Sequence, residues 1–130
     1  MDQKILVGDR LTDQMISVGK ELIQNLDKTL PIVGTFWLLL PELNKWRLII
    51  ASPSVRLSGP LSTYKKVQSV LKRVHSKIEL TDISVISDRE PFYLLFKQAI
   101  STGPALSEIR FTDNVVNGHR IHDALIYRLS

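Results

Sequence analysis

Residues 32–40 admit few placements in a folded chain. Extended, this stretch is apolar on both sides, with Phe36, Leu38 and Leu40 on one face and Trp37 and Leu39 on the other. A strand of that kind belongs in the interior of a sheet covered on both sides. Gly34 within it predicts a bulge or a close approach by another segment. Leu30-Pro31 separates it from what precedes, because a residue before proline is pushed out of the helical region. Residues 41–44 are too few for anything but an antiparallel return, so 46–52 reads as the second strand of a hairpin. There Trp46, Leu48 and Ile50 share one face and Arg47, Ile49 and Ala51 the other, and Pro53 stops the pairing.

Helical spacing accounts for the residues on either side. Leu11, Met15, Val18, Leu22 and Leu26 recur every three or four positions, one apolar stripe of a helix over 9–28. Ile5, Leu6 and Val7 either extend it or form a separate turn. Residues 54–59 read as a loop. A helix follows over 60–76, capped by Ser58 or Gly59, with Pro60 in its first turn and Tyr64, Val67, Leu71 and Val74 inward. A third strand over 78–87 centres on Ile83, Val85 and Ile86. Ser87 or Asp88 then caps a short helix that presents Phe92, Leu95, Phe96, Ala99 and Ile100 and stops at Thr102-Gly103-Pro104. Residues 108–116 and 119–129 are two strands around Asn117-Gly118, the strongest hairpin signal in the sequence. The order is α-β-β-α-β-α-β-β: three helices, two hairpins and a mixed sheet of about five strands. This is an α/β fold, with α+β as the alternative, and residues 1–130 suit a single globular domain.

Charge is distributed unevenly along this framework. Between Leu43 and Ile78 there are eight bases (Lys45, Arg47, Arg56, Lys65, Lys66, Lys72, Arg73 and Lys77) and no acid, while the remainder carries nine bases against thirteen acids. The net +4 therefore conceals a segment at +8 in a body at −4. A basic face over 45–77 is the clearest functional asymmetry. The absence of cysteine excludes disulfides, thiolate metal sites and cysteine nucleophiles. The longest apolar run, 30–41, falls well short of the roughly 20 residues a membrane helix needs. The first residues lack the pattern of a secretion signal. A cytoplasmic protein with no membrane partner is the expectation.

Trp46-Arg47-Leu48-Ile49-Ile50-Ala51-Ser52-Pro53, Gly59-Pro60, Tyr64, Gln68, Ile121, Asp123-Ala124 and Ile126-Tyr127-Arg128 together resemble a family of small uncharacterised bacterial proteins. The resemblance runs through most of the chain from Phe36 onward and implies no activity, ligand or partner.

Several constellations bear on chemistry. Ser54, Arg56, Ser58, Gly59 and Ser62 precede or open the second helix, where free amides, the helix dipole and a forked guanidinium favour phosphate. Ordinary capping is the simpler reading of the same residues. Lys65, Lys66, Lys72, Arg73 and Lys77, with Lys45 and Arg47, could neutralise several nucleic-acid phosphates. Lysines at helical spacing are more often a solvated face, and no aromatic platform lies among them. His119 and His122, with Asp113 and Asp123, surround the last hairpin. A spacing of three puts the two imidazoles on opposite faces of a strand, which argues against a metal site. Ser62 and Lys65 have Ser-x-x-Lys spacing but none of the accompanying motifs. Asp2-Gln3-Lys4 is the only nuclease-like acid-x-Lys spacing. Arg128 and Tyr127 fall near Glu108 across the last hairpin, an ordinary cross-strand contact or a small polar site.

These readings favour a non-catalytic binding or assembly module without cofactor or metal, acting on a protein partner or on itself through the basic face. The alternative is a nucleic-acid-binding protein using the same helix. A further alternative, an enzyme acting on a phosphorylated small molecule, requires a concave pocket at residues 54–62.

Overall fold

Residues 34–40, apolar on both faces, are the middle strand of a five-stranded sheet in the computed structural model, which describes residues 7–116 and 118–130. In chain order the elements are α1 (Asp13–Leu26), β1 (Gly34–Leu40), β2 (Lys45–Ser52), α2 (Pro53–Ser58), α3 (Pro60–Arg73), β3 (Ile83–Ser87), α4 (Pro91–Ala99), β4 (Ile109–Val116) and β5 (His119–Leu129). A single 3₁₀ turn, Leu80–Asp82, precedes β3. Across the sheet the order is β3-β2-β1-β5-β4. Only β2 and β3 run parallel, and α2 and α3 form the crossover between them, so the sheet is mixed.

The alternation of β1 and β2 divides the core. Trp37, Trp46, Leu48 and Ile50 face α1 and α3, meeting Met15, Leu22, Ile23, Leu26, Val67, Val70 and Leu71. Phe36, Ile49 and Ala51 face the other way and are covered by Tyr93 and Phe96 of α4. Phe96 stands edge-on to Phe36, ring centres 5.1 Å apart, an arrangement that suits the aromatic quadrupole. Both roles predicted for Gly34 occur. A Cβ there would lie 2.5 Å from the Tyr93 ring, and the register between β1 and β5 shifts just after it, between Thr35 and Phe36.

The structure departs from the sequence reading at several points, beginning with α1, which spans Asp13–Leu26 behind Thr12 as N-cap rather than 9–28. Residues 53–58, read as a loop with a strand-ending proline, form the helix α2, a fourth helix. The Ser52 hydroxyl accepts from Ser54 N–H and donates to Pro31 O, which caps α2 and ties it to the start of β1. Helix α3 ends at Arg73 rather than Ser76, and His75 follows at φ 53. The third strand starts at Ile83 rather than Ile78, because Glu79 and Asp82 close a reciprocal capping box around the 3₁₀ turn. Glu90, not Ser87 or Asp88, is the N-cap of α4. In the last hairpin Val116 lies opposite His119 and Gly118 has φ +83, while Asn117 lies outside the described residues, as do Asp2-Gln3-Lys4, Ile5 and Leu6.

Candidate functional site

The docking candidate is the outer face of α3. The helix opens at Gly59, which at φ +88 takes a conformation few side chains tolerate. Thr63 Oγ1 donates to Gly59 O at 3.0 Å and secures the first turn. Inward, Thr63, Val67, Val70 and Leu71 are buried, and Tyr64 Oη accepts the Val85 N–H of β3 at 2.9 Å. An edge-strand amide is thereby covered by the helix packed beside it. Outward, Leu61, Lys65, Lys66, Ser69, Lys72 and Arg73 are exposed. Leu61, Lys65 and Lys72 stand at i, i+4 and i+11, and Lys66 and Arg73 flank them seven apart, so the six form one ribbon about 18 Å long.

Tertiary contacts remove three of the eight bases from any such face. Lys45 Nζ pairs with Asp82 at 3.5 Å. Arg47 is half-buried and donates through Nε to Ser84 Oγ and through Nη2 to Ile83 O. Arg56 makes a forked pair with Asp88, 3.1 Å for each bond, and that pairing holds the Asp88 carboxyl below its usual range and raises the Arg56 guanidinium. Lys65, Lys66, Lys72, Arg73 and Lys77 remain exposed, with no ion-pair partner among the described residues. Lys77 lies apart from the ribbon, in a cleft of about 450 Å³ between α1 and the end of α3, beside Glu21, Asn25 and His75.

The residues expected to cradle phosphate are placed otherwise. Ser54 is buried, its amide N–H spent on the Ser52 cap. Arg56 is committed to Asp88, and Ser58 is exposed at the end of α2. Four surface clefts, beside α1, at the α1–α3 groove, between α4 and β4, and over Trp46, include no residue from 54 to 62. Ser62 is half-buried and Lys65 exposed.

The other constellations resolve into structure. His119 and His122 are exposed, Asp113 pairs with Arg120, and Asp123 makes a forked pair with Arg110 at 2.6 Å. Among the described residues no group of three or more histidines and acids converges on a metal-sized site. Arg128 turns away from Glu108 to Asp27, 2.8 and 2.9 Å, and to Ile32 O and Pro104 O, while Glu108 pairs with Lys20. Among the described residues no helix is long and apolar enough to cross a membrane.

Leu57 and Leu61, which the sequence reading passed over, are the two most exposed large apolar residues described, at 72% and 68%. Leu57 lies in the last turn of α2 and Leu61 in the first turn of α3, so they stand on either side of the Gly59 bend, next to the cationic ribbon. The signal for Leu61 was present in the spacing, since it precedes Lys65 by one helical turn. Comparison with protein-family models, curated proteins and solved structures finds no match.

Proposed function

We propose that this chain is a non-catalytic binding module that docks through the outer face of α3 onto a surface bearing acidic groups. One observation carries the reading: Lys65 and Lys66 sit exposed in the middle of α3, with no ion-pair partner among the described residues. Lys72 and Arg73 occupy the last turn, where the helix dipole alone favours a cation. Mid-helix the dipole gives no such return, and although water alone solvates lysines there, a face of cations with no facing acid suits a partner of opposite charge.

Nucleic acid is the alternative partner for the same ribbon. Trp37 and Trp46 are buried and the Tyr64 hydroxyl is committed to β3, so the ribbon offers no ring on which a base could stack. Contact with nucleic acid would be limited to phosphates. The exposed leucines beside the ribbon favour a surface that offers apolar groups as well as acids.

The test compares wild type with a Lys65→Glu, Lys66→Glu, Lys72→Glu, Arg73→Glu variant. Labelled polyglutamate and single- and double-stranded DNA and RNA are titrated across a salt series. We expect polyglutamate to bind at low salt, weaken as salt rises and fail to bind the variant. Nucleic acid bound far more tightly than polyglutamate would transfer the ribbon to the alternative. No binding of any polyanion at low salt would overturn the docking reading altogether.

A further inference from the structure

We infer that the acidic surface docked by α3 is an anionic lipid interface, with Leu57 and Leu61 entering it and the cationic ribbon lying against its headgroups. The inference rests on α3 being the docking face.

Peripheral attachment needs apolar side chains that reach past the headgroups and bases that stay among them. The α2–α3 corner supplies both. Leu57 and Leu61 are more than two thirds exposed, although leucine gains from burial. Between them Gly59 N–H donates to Val55 O at 3.1 Å and Pro60 has no N–H, so neither residue brings a free amide donor to the corner. Lys65 and Lys72 follow Leu61 along one side of α3, with Lys66 and Arg73 flanking them. Arg56, one residue before Leu57, is already neutralised by Asp88 and adds no net charge.

Shape favours lipid over protein. The leucines stand at a bend between two helices, and both are largely exposed there. A protein partner would need a pocket matched to that projecting corner. A fluid interface needs none, because lipids rearrange around what enters. The short apolar run in the sequence excluded only a spanning helix and does not bear on this kind of contact.

Sedimentation with phosphatidylcholine vesicles, with and without phosphatidylserine, tests the inference, using wild type, Leu57→Ser/Leu61→Ser and Lys65→Glu/Lys66→Glu. All four positions are exposed, and circular dichroism checks that the variants fold. Wild type is expected to bind only the vesicles that contain phosphatidylserine. The leucine variant should bind them at least tenfold more weakly, as loss of two partly inserted leucines requires. The lysine variant should lose about fivefold or more per base. Polyglutamate binding should survive in the leucine variant and fall in the lysine variant. Polyglutamate binding without vesicle binding would overturn the lipid assignment and leave an acidic protein as the partner. Vesicle binding indifferent to the leucines would overturn insertion. Loss of both activities in wild type would remove the docking face as well.

Discussion

Trp37 and Tyr127 are joined across the middle of the sheet: Trp37 Nε1 donates to Tyr127 Oη at 2.9 Å, and that hydroxyl donates to Ile16 O in α1. Two hydrogen bonds thus fix α1 against β1 and β5, through two side chains that are fully buried. Gly19 makes the approach feasible. A Cβ there would lie 2.5 Å from Tyr127 Oη and 2.8 Å from Trp37 Nε1.

Gly19→Ala should therefore destabilise the fold although alanine is the better helix former. Overpacking costs about 1–3 kcal/mol, against about 1 kcal/mol gained by replacing a helical glycine. Adding Tyr127→Phe removes one of the two clashing atoms, so the double variant should lose less than the sum of the single losses. Urea unfolding of the three variants checks this, and strict additivity would separate Gly19 from the Tyr127 hydroxyl.

Alkaline pH should unfold the protein through the same residue. Burial pushes the Tyr127 phenol well above its ordinary value, so the folded chain holds this proton more tightly than the unfolded one. That stability is complete below the ordinary tyrosine pKa of about 10 and is lost as pH rises above it. Tyrosinate absorbance should rise in a step that coincides with loss of circular dichroism, and Tyr127→Phe should flatten the alkaline arm of the stability curve.

Arg128 and Asp27 predict an asymmetric pair of substitutions. Arg128 is 8% exposed and serves two backbone carbonyls as well as the carboxylate, whereas Asp27 is exposed and can be solvated when its partner is gone. Arg128→Ala should cost about 2–4 kcal/mol and Asp27→Asn about 1 kcal/mol. Equal losses would show that the carboxylate pair alone accounts for the effect.

Asp88 offers a way to change the proposed docking face without touching α3. Arg56 keeps this carboxyl below its usual range, so the pair contributes above that range and is lost as pH falls through the lowered value. Both groups are near water, so stability should barely move in Asp88→Asn. The freed Arg56 should steepen the salt dependence of polyanion binding by about one counterion. An unchanged slope would place Arg56 outside the docking surface.

What could be read in the sequence was what depends on local period. The two faces of β1 and β2 follow from alternation of apolar residues that are buried or half-buried, and both hairpins follow from short connections. Helix α2 was hidden because six residues hold too little periodicity, and because its cap, Ser52, is also the last residue of β2. Ile78 is buried without being in a strand, which drew the third strand five residues too early. Counting bases along 45–77 overstated the cationic face, since Asp82 and Asp88 arrive from distant positions to neutralise Lys45 and Arg56. Charge pairing of that kind is tertiary and leaves no trace in spacing. The four cations at helical spacing in α3 were legible because one helix suffices to align them.

The parallel pairing of β2 with β3 has a consequence for when the protein becomes competent. Hairpins close early, being local, but parallel strands meet only after the intervening chain has looped back. Helices α2 and α3 are that loop, and Tyr64 fastens it by taking the Val85 amide. A chain still emerging from synthesis, or one whose β3 has come away, has not yet fixed its leucine corner and cationic ribbon in place. Docking through α3, as proposed, would then wait on completed folding.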